Sequence, residues 1–421
     1  MPSLADITRA LPDYKPGDLP VDTARHIVAS CIKPLEGSEL LPLQACLGRI
    51  LAADLLSPIN VPAHDNAAMD GYAVRGTELA EGLDFTIAGT AMAGTPWPGR
   101  LQTQQCVRIM TGAVMPTGCD TVIMQEVVVV EGNRVRVPAH QKTGQNRRLA
   151  GEDLQAGKPA LHAGKKIGPA ELGLVASLGI AQLEVRRRLR VAIFSSGDEL
   201  RSLGETLDEG CIYDSNRYTL TGLLQGLGVE VIDLGVVRDS PEDLEAAMRT
   251  ACTQADAIIT SGGVSVGEAD FTRALMARLG EVAFWTIAMK PGRPFAFGRI
   301  RSGASSAVLF GLPGNPVAVM VTFLVFVREA LLHMAGASDT RPPLISAICD
   351  SPIKKSPGRT EYQRGILSAT ADGLHVRVTG AQGSGILRSM SEANCLIVLA
   401  PDQGSVSAGQ AVPAWLFEGL L

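Results

Sequence analysis

Between residues 189 and 333 the chain alternates short apolar runs with amphipathic stretches of helix length, and this alternation limits its possible folds more than any other feature. A strand covered on both faces of a parallel sheet is apolar throughout, whereas the crossover that follows it is helical and amphipathic. LRVAIF reads as such a strand; Ser215 then caps a helix in which Leu220, Leu223, Leu224 and Leu227 share a face, and VEVIDLGVV is the next strand. Ser240-Pro241 supplies an N-cap and a proline at the first helical position, with Leu244, Ala247 and Met248 turned inward. AIIT, FWTIAM, FAFG and AVLF complete the strand set. The expected fold class is multi-domain α/β, with a doubly wound central domain at 188–338 whose parallel sheet carries helices on both faces.

The flanks have a different texture. Ala24, Ile27, Val28 and Cys31 repeat at helical spacing before Pro34, and helical spacing returns at 169–178. Between them FTIAG, CVRIM, TVIMQEVVVV and RVRVP are β-rich runs separated by Gly and Pro turns, so 1–187 is expected to be an N-terminal α+β region with an inserted β domain at about 83–148. From Pro342 onward LISAIC, HVRVTG, CLIVLA and AVPAWLF predict a C-terminal β-barrel or sandwich at 339–421.

Composition removes several function classes. With 38 Lys plus Arg against 43 Asp plus Glu the net charge is -5, and aromatics are only 4%, so neither a basic field nor a stacking platform for nucleic acid is present. The eight cysteines form no CxxC pair and the six histidines no HExxH, which leaves zinc chemistry without ligands and reads as reduced, buried thiols. The N-terminus lacks the basic start and apolar run of a signal peptide. The longest apolar stretch, 317–327, falls short of the roughly 18 residues of a membrane span. A cytoplasmic protein without a membrane or nucleic-acid partner is expected.

Ligands of open α/β sheets bind beyond the carboxyl ends of the strands. Four loops there are rich in functional groups: Ser195 to Leu200, Ser261 to Asp270, Lys290 to Pro294 and Gly311 to Pro316. Gly262, Gly263 and Gly267 allow close backbone approach to an anion, and Ser261 and Ser265 add hydroxyls before a helix N-terminus. This is neither a Walker loop nor a dinucleotide fingerprint, and it reads either as a phosphate cradle or as an ordinary glycine turn. Asp270, Glu199 and Asp239 are hard oxygen donors suited to Mg²⁺ beside phosphate, although capping and helix-dipole complementarity alone explain Asp270. Lys290 and Arg293 present two cations in a proline-stiffened loop that suits an oxyanion. Asn315-Pro316 is sufficiently explained as an N-cap with proline at the first helical position. Upstream, 64–72 (HDNAAMDGY) is a small, polar segment of the kind found at sites and interfaces.

Taken in order, AMDGYAV (68–74), RIMTGA (108–113), GEDL (151–154), SSGDEL (195–200), IYDSNR (212–217), SGGVSVGEAD (261–270), KPGRPFAFG (290–298), GLPGNPV (311–317) and QRG (363–365) resemble the MoeA family of molybdopterin molybdenumtransferases, related to the E domain of gephyrin. The resemblance implies Mg²⁺-dependent insertion of molybdenum from molybdate into adenylylated molybdopterin with release of AMP. It also implies an elongated homodimer whose site is shared between subunits, with molybdopterin adenylyltransferase and molybdenum apoenzymes as further partners. It places Ser261, Gly262, Gly263 and Ser265 on ligand phosphates and Asp270, Glu199 and Asp239 on metal or substrate. Lys290, Arg293, Arg364 and Ser384 fall on the molybdate side. Asp214, Asn216, Pro313 and Pro316 belong to the substrate set, and Asp65, Thr111, Arg148 and Asp153 come from the second subunit. Asp65 and Lys290 join the three acidic residues in the catalytic set. Two positions depart from the family pattern: Arg293 stands where many members have lysine, and Thr286 replaces another frequent lysine and removes its charge. Two rivals remain open, a molybdopterin adenylyltransferase and a non-catalytic carrier or scaffold of the gephyrin type.

Overall fold

The computed structural model describes residues 4–9, 15, 18–79, 83–263 and 270–417, with Asp270 and Phe271 described by their backbone alone. In the central domain the strands are β1 (Arg190–Ser196), β2 (Glu230–Val237), β3 (Ala257–Ser261), β4 (Gly280–Thr286), β5 (Met289–Lys290), β6 (Pro294–Ser302) and β7 (Ser305–Leu312). Six of them form one sheet in the order β2-β1-β3-β7-β6-β4. The expected fully parallel sheet is corrected here to a mixed one: β6 runs antiparallel to both β7 and β4, while β2, β1, β3 and β7 pair in parallel. The cause is local. Ser302 pairs with Ser305 across the two-residue turn Gly303-Ala304, with Gly303 at φ +58, and so tight a link can join only antiparallel strands.

Both faces of the sheet are covered, because alternate side chains of β1 enter two different cores. Val191 and Ile193 pack with Leu220, Leu224 and the helix 316–334, whereas Ala192 and Phe194 pack with Met248, Leu275 and Leu309. On the first face Trp285 stacks on Phe297 at 5.8 Å and Phe295 on Phe326 at 4.9 Å, tying β4 and β6 to that helix. The helix runs through Pro316–Thr322, a π-helical turn Phe323–Val327 and Arg328–Met334. Its 18-residue apolar window has a mean hydropathy of 1.9 and is 78% buried inside the fold, as a core helix is.

The amphipathic helix expected near residue 24 spans Val21–Cys31 and buries Ala24, Ile27 and Val28. Its face joins the core of the central domain, where Arg25 also pairs with Glu329 at 2.6 Å. The rest of the N-terminal region is bracketed by two antiparallel pairs, Ser38–Pro42 with Gln182–Arg186 and Leu55–Leu56 with Pro159–Leu161. Between these pairs a six-stranded sheet forms. It takes in Gly71–Val74, so the second half of AMDGYAV is a wholly buried strand rather than a loop.

The C-terminal strands close on themselves: Ile345–Cys349, β8 (Thr360–Thr370), Gly373–Val378, Cys395–Leu399 and Ala411–Leu416 pair around a ring, which makes the unit a closed barrel. β8, the longest of these strands, is absent from the sequence expectation. On the barrel surface His375 lies 2.7 Å from Asp350 and 3.4 Å from Asp372, and the hydrogen bond to Asp350 is the main force raising its pKa above the usual value. A histidine whose folded pKa is raised stabilises the fold fully below its unfolded value near 6.5, and that contribution disappears as pH rises through the folded pKa. Thermal unfolding scans from pH 6 upward are therefore expected to show a falling midpoint that His375→Gln flattens. Parallel curves for the two proteins would refute the assignment.

Candidate active site

The four loops singled out in the sequence follow β1, β3, β4 and β7, all of which run in one direction, so all four emerge at the same edge of the sheet. At that edge is a crevice of ≈ 580 Å³. Its walls are Ser196 and Glu199 after β1, Tyr213 to Asn216, Ser261 and Gly262 after β3, and Gly314 to Pro316 after β7, with Gly385 and Leu387 contributed by the barrel.

The glycine turn is built into this wall. Gly262 has φ +88, its N–H donates to the Leu312 carbonyl at 3.2 Å, and a β-carbon there would lie 2.3 Å from the Ser196 carbonyl oxygen. Gly263 follows at φ +67. Beneath the turn runs a buried polar chain in which the Ser195 hydroxyl donates to Asp214 at 3.0 Å and lies 2.9 Å from the Ser261 hydroxyl. Ser195 has one proton and gives it to Asp214, so Ser261 donates its own to Ser195. The hydroxyl donor expected at Ser261 is thus committed inside the protein, and what it presents to a ligand is main chain.

Asp214 also accepts the Arg217 N–H at 3.2 Å, doing the capping expected of Ser215, whose side chain makes no cap bond. Asn315 likewise makes no side-chain cap, although Pro316 opens the helix as expected. Asn216 reaches across the crevice to the Gly314 carbonyl at 2.7 Å and leaves its own Oδ1 buried without a partner. Pro313 lies between Leu312, which holds the glycine turn, and Gly314.

Of the acidic residues Glu199 lines the crevice, whereas Asp239 does not line it and is tied to its wall through Ser196. The Ser196 hydroxyl donates to Asp239 in a short hydrogen bond, and the Asp239 N–H donates to Asp198 at 3.3 Å. Among the described residues no three metal-ligating side chains converge. Ser265 and the side chain of Asp270 lie outside the described residues; the backbone of Asp270 opens the helix Asp270–Leu279.

The cationic loop Lys290 to Pro294 follows β4, two strands beyond β7 and so about 10 Å across the sheet at the usual interstrand spacing. There β5 leaves the central domain and pairs in parallel with β8, Met289 opposite Thr360 and Lys290 opposite Glu361. Gly292 adopts φ +97 with the Thr322 hydroxyl packed against it, and Arg293 is exposed, its carbonyl accepting the Ile287 N–H at 2.7 Å. Thr286 ends β4 and its carbonyl accepts the Leu19 N–H at 2.9 Å. Arg364 is 1% exposed; its guanidinium donates to the Ser389 hydroxyl at 3.1 Å and to the Gly383 carbonyl at 3.1 Å, and no carboxylate pairs with it among the described residues. Burial alone pulls its pKa down to about 10. Ser384 accepts the Val317 N–H through its carbonyl at 3.1 Å, which fastens the barrel loop to the crevice.

Four predicted residues lie elsewhere in the chain. Asn66–Ala67 pairs with Arg147–Arg148, Asp65 accepts the Ala150 N–H at 2.8 Å, and the Thr111 N–H and hydroxyl both donate to Asp70 at 2.7 Å, holding that carboxyl below its usual pKa. The Asp153 N–H donates to Val61. These contacts gather Asp65, Thr111 and Arg148 into one patch, with Asp153 in the adjoining turn, but none of the four lines the crevice of its own chain.

Three family models cover the chain in order: "MoeA N-terminal region (domain I and II)" over residues 19–179, "Probable molybdopterin binding domain" over 192–333 and "MoeA C-terminal region (domain IV)" over 346–417. The chain belongs to the MoeA family. A molybdopterin molybdenumtransferase of Haemophilus influenzae is 44% identical over 406 residues, covering 96% of this chain and all of that one. One of Nostoc is 36% identical over 416 residues, covering 96% and 95%. A crystal structure of the molybdopterin biosynthesis moeA protein of Pyrococcus horikoshii matches with a TM-score of 0.81 and 28% identity, over 95% of this chain and 100% of that chain. The mixed central sheet and closed barrel are the MoeA layout. Sequence reasoning did not find Ser195, Ser196 or Glu361 as individual contributors, because their roles come from pairings across strands that only the register reveals.

Proposed function

We propose that this MoeA protein is a molybdopterin molybdenumtransferase that inserts molybdenum from molybdate into adenylylated molybdopterin, with Mg²⁺, and releases AMP. The observation that carries this reading is the division of one sheet edge into a glycine-walled polar crevice and a separate cationic end, in a chain matched along its length by the family. Gly262 and Gly263 let the main chain approach a pyrophosphate closely. Asn216, with its unpartnered buried oxygen, offers an acceptor to a ligand donor.

The donor set fits Mg²⁺, which takes one or two carboxylates together with phosphate oxygens and water and needs no three-carboxylate cage. Glu199 and Asp239 would hold it, with Asp270 as the family pattern implies, and it would supply neutralisation of the phosphate charge. Ser196 fixes the Asp239 carboxylate by donating to it. At the other end Lys290, Arg293 and Arg364 hold the molybdate dianion by charge, beside the Ser384 loop. The barrel loop 383–385, fastened to Val317, brings Gly385 into the crevice wall.

We also propose a homodimer in which Asp65, Thr111, Arg148 and Asp153 of one subunit complete the crevice of the other. Their isolation from the crevice of their own chain supports this. The unpaired, mostly buried cysteines support a reducing, cytoplasmic location. Molybdopterin adenylyltransferase and the molybdenum apoenzymes are the proposed partners upstream and downstream. Arg148→Ala and Asp239→Asn are each expected to abolish molybdenum insertion. After unfolding and refolding them as an equal mixture, about a quarter of wild-type activity should return, since half the dimers then hold one intact site of two. A mixture as inactive as its components would refute a site shared between subunits.

A further inference from the structure

Glu361 poses a question that the crevice does not answer. It is 4% exposed at the start of the longest barrel strand, and acidic side chains are rarely buried without a partner. One carboxylate oxygen accepts the Gln363 side-chain amide at 2.9 Å. The other faces the Lys290 ammonium at 3.7 Å, the one cation paired with it among the described residues. The register brings the two together, because Lys290 and Glu361 are directly opposed across the parallel β5–β8 pairing and their side chains share a face. The spacing is informative. Arg25 and Glu329 close to 2.6 Å, a direct charge-assisted hydrogen bond that fastens two helices. At 3.7 Å the Glu361 carboxylate holds the lysine's charge in place without taking its N–H donors, and the Lys290 side chain stays 53% exposed.

We propose that Glu361 is the positioning residue for Lys290, through which the C-terminal barrel aims that ammonium at the molybdate oxyanion; this rests on the molybdate reading of Lys290 above. The barrel is thereby a working part of the site as well as a part of its wall. The buried carboxylate faces the ammonium itself at 3.7 Å, and since it takes no hydrogen bond from the lysine the donors remain free to turn toward a dianion.

The test uses full-length protein and measures molybdate dependence of AMP release together with direct molybdate binding by equilibrium dialysis. Glu361→Gln keeps the side-chain shape and removes the charge. It is expected to raise the half-saturating molybdate concentration by roughly tenfold, leaving the rate at saturating molybdate and the thermal midpoint close to wild type. Glu361→Asp should recover part of that loss. In a Lys290→Ala background Glu361→Gln should add nothing, because the effect passes through the lysine. If Lys290→Ala weakens molybdate binding and Glu361→Gln does not, or if the two losses simply add, the positioning role is overturned and the molybdate reading stands. If Lys290→Ala leaves molybdate binding unchanged, the molybdate reading of Lys290 fails and the positioning role falls with it.

Discussion

Gly262→Ala is expected to abolish AMP release, by at least about a hundredfold, while the protein still folds. The glycine sits at φ +88, where an L side chain is strained by roughly 1–3 kcal/mol, and its new methyl group would meet the Ser196 carbonyl oxygen at 2.3 Å. The obstacle is backbone, so no rotamer change relieves it. Nor can β1 move aside, because Ser195 is held in register by Ser261 on one side and Val236 on the other. The turn must therefore leave its place in the crevice wall, and its close main-chain approach to phosphate goes with it. Circular dichroism and a thermal scan check that the fold persists, and AMP release measures the loss. Gly222→Ala is the control: that glycine lies inside the helix Asn216–Gly226 with open space around it, and alanine there should stabilise by about 0.5–1 kcal/mol without touching catalysis. Full activity in Gly262→Ala would mean that the turn does not approach the ligand.

Arg364→Met is expected to separate stability from function. A guanidinium at 1% exposure whose neutral partners are one hydroxyl and one carbonyl stands against its own desolvation, and its lowered pKa records that cost. Replacing a buried charge that has no counter-ion among the described residues by an apolar side chain of similar length is neutral or stabilising when the volume is kept. The thermal midpoint should accordingly hold or rise. Catalysis should not survive, because a full positive charge kept in the interior beside the Gly383–Gly385 loop has its largest effect on an oxyanion held there. The apparent second-order rate constant for molybdate should drop by about 10²–10³-fold. A methionine variant that lost its stability and kept its molybdate dependence would assign Arg364 to the barrel core instead.

What the sequence revealed and what it concealed follow from which forces are local. The strands after residue 189, the Ser240 cap and the helix beginning at Pro316 are set by hydrophobic period and by capping, both written within a few residues. The reversal of β6 turned on a two-residue turn, Gly303-Ala304, that the strand texture around it does not signal. β8 escaped for a more instructive reason. TEYQRGILSAT places Glu361, Gln363 and Arg364 at buried positions, so the apolar signature of a strand is broken by the very residues that serve the site. AMDGYAV misled in the opposite way: its polar first half hides the buried strand Gly71–Val74. The position of Asp65, Thr111 and Arg148 away from the crevice is a property of chain topology that no local pattern encodes.

The measurement that tests the central claim most directly is a stoichiometry. Purified protein, adenylylated molybdopterin, molybdate and Mg²⁺ are mixed, and AMP released is counted against molybdenum delivered to a molybdenum apoenzyme. The account predicts one AMP for each molybdenum inserted, with both signals lost when either molybdate or Mg²⁺ is withheld. Tight retention of the adenylylated ligand with neither product would contradict it and make the protein a carrier, and consumption of ATP in its place would make it an adenylyltransferase.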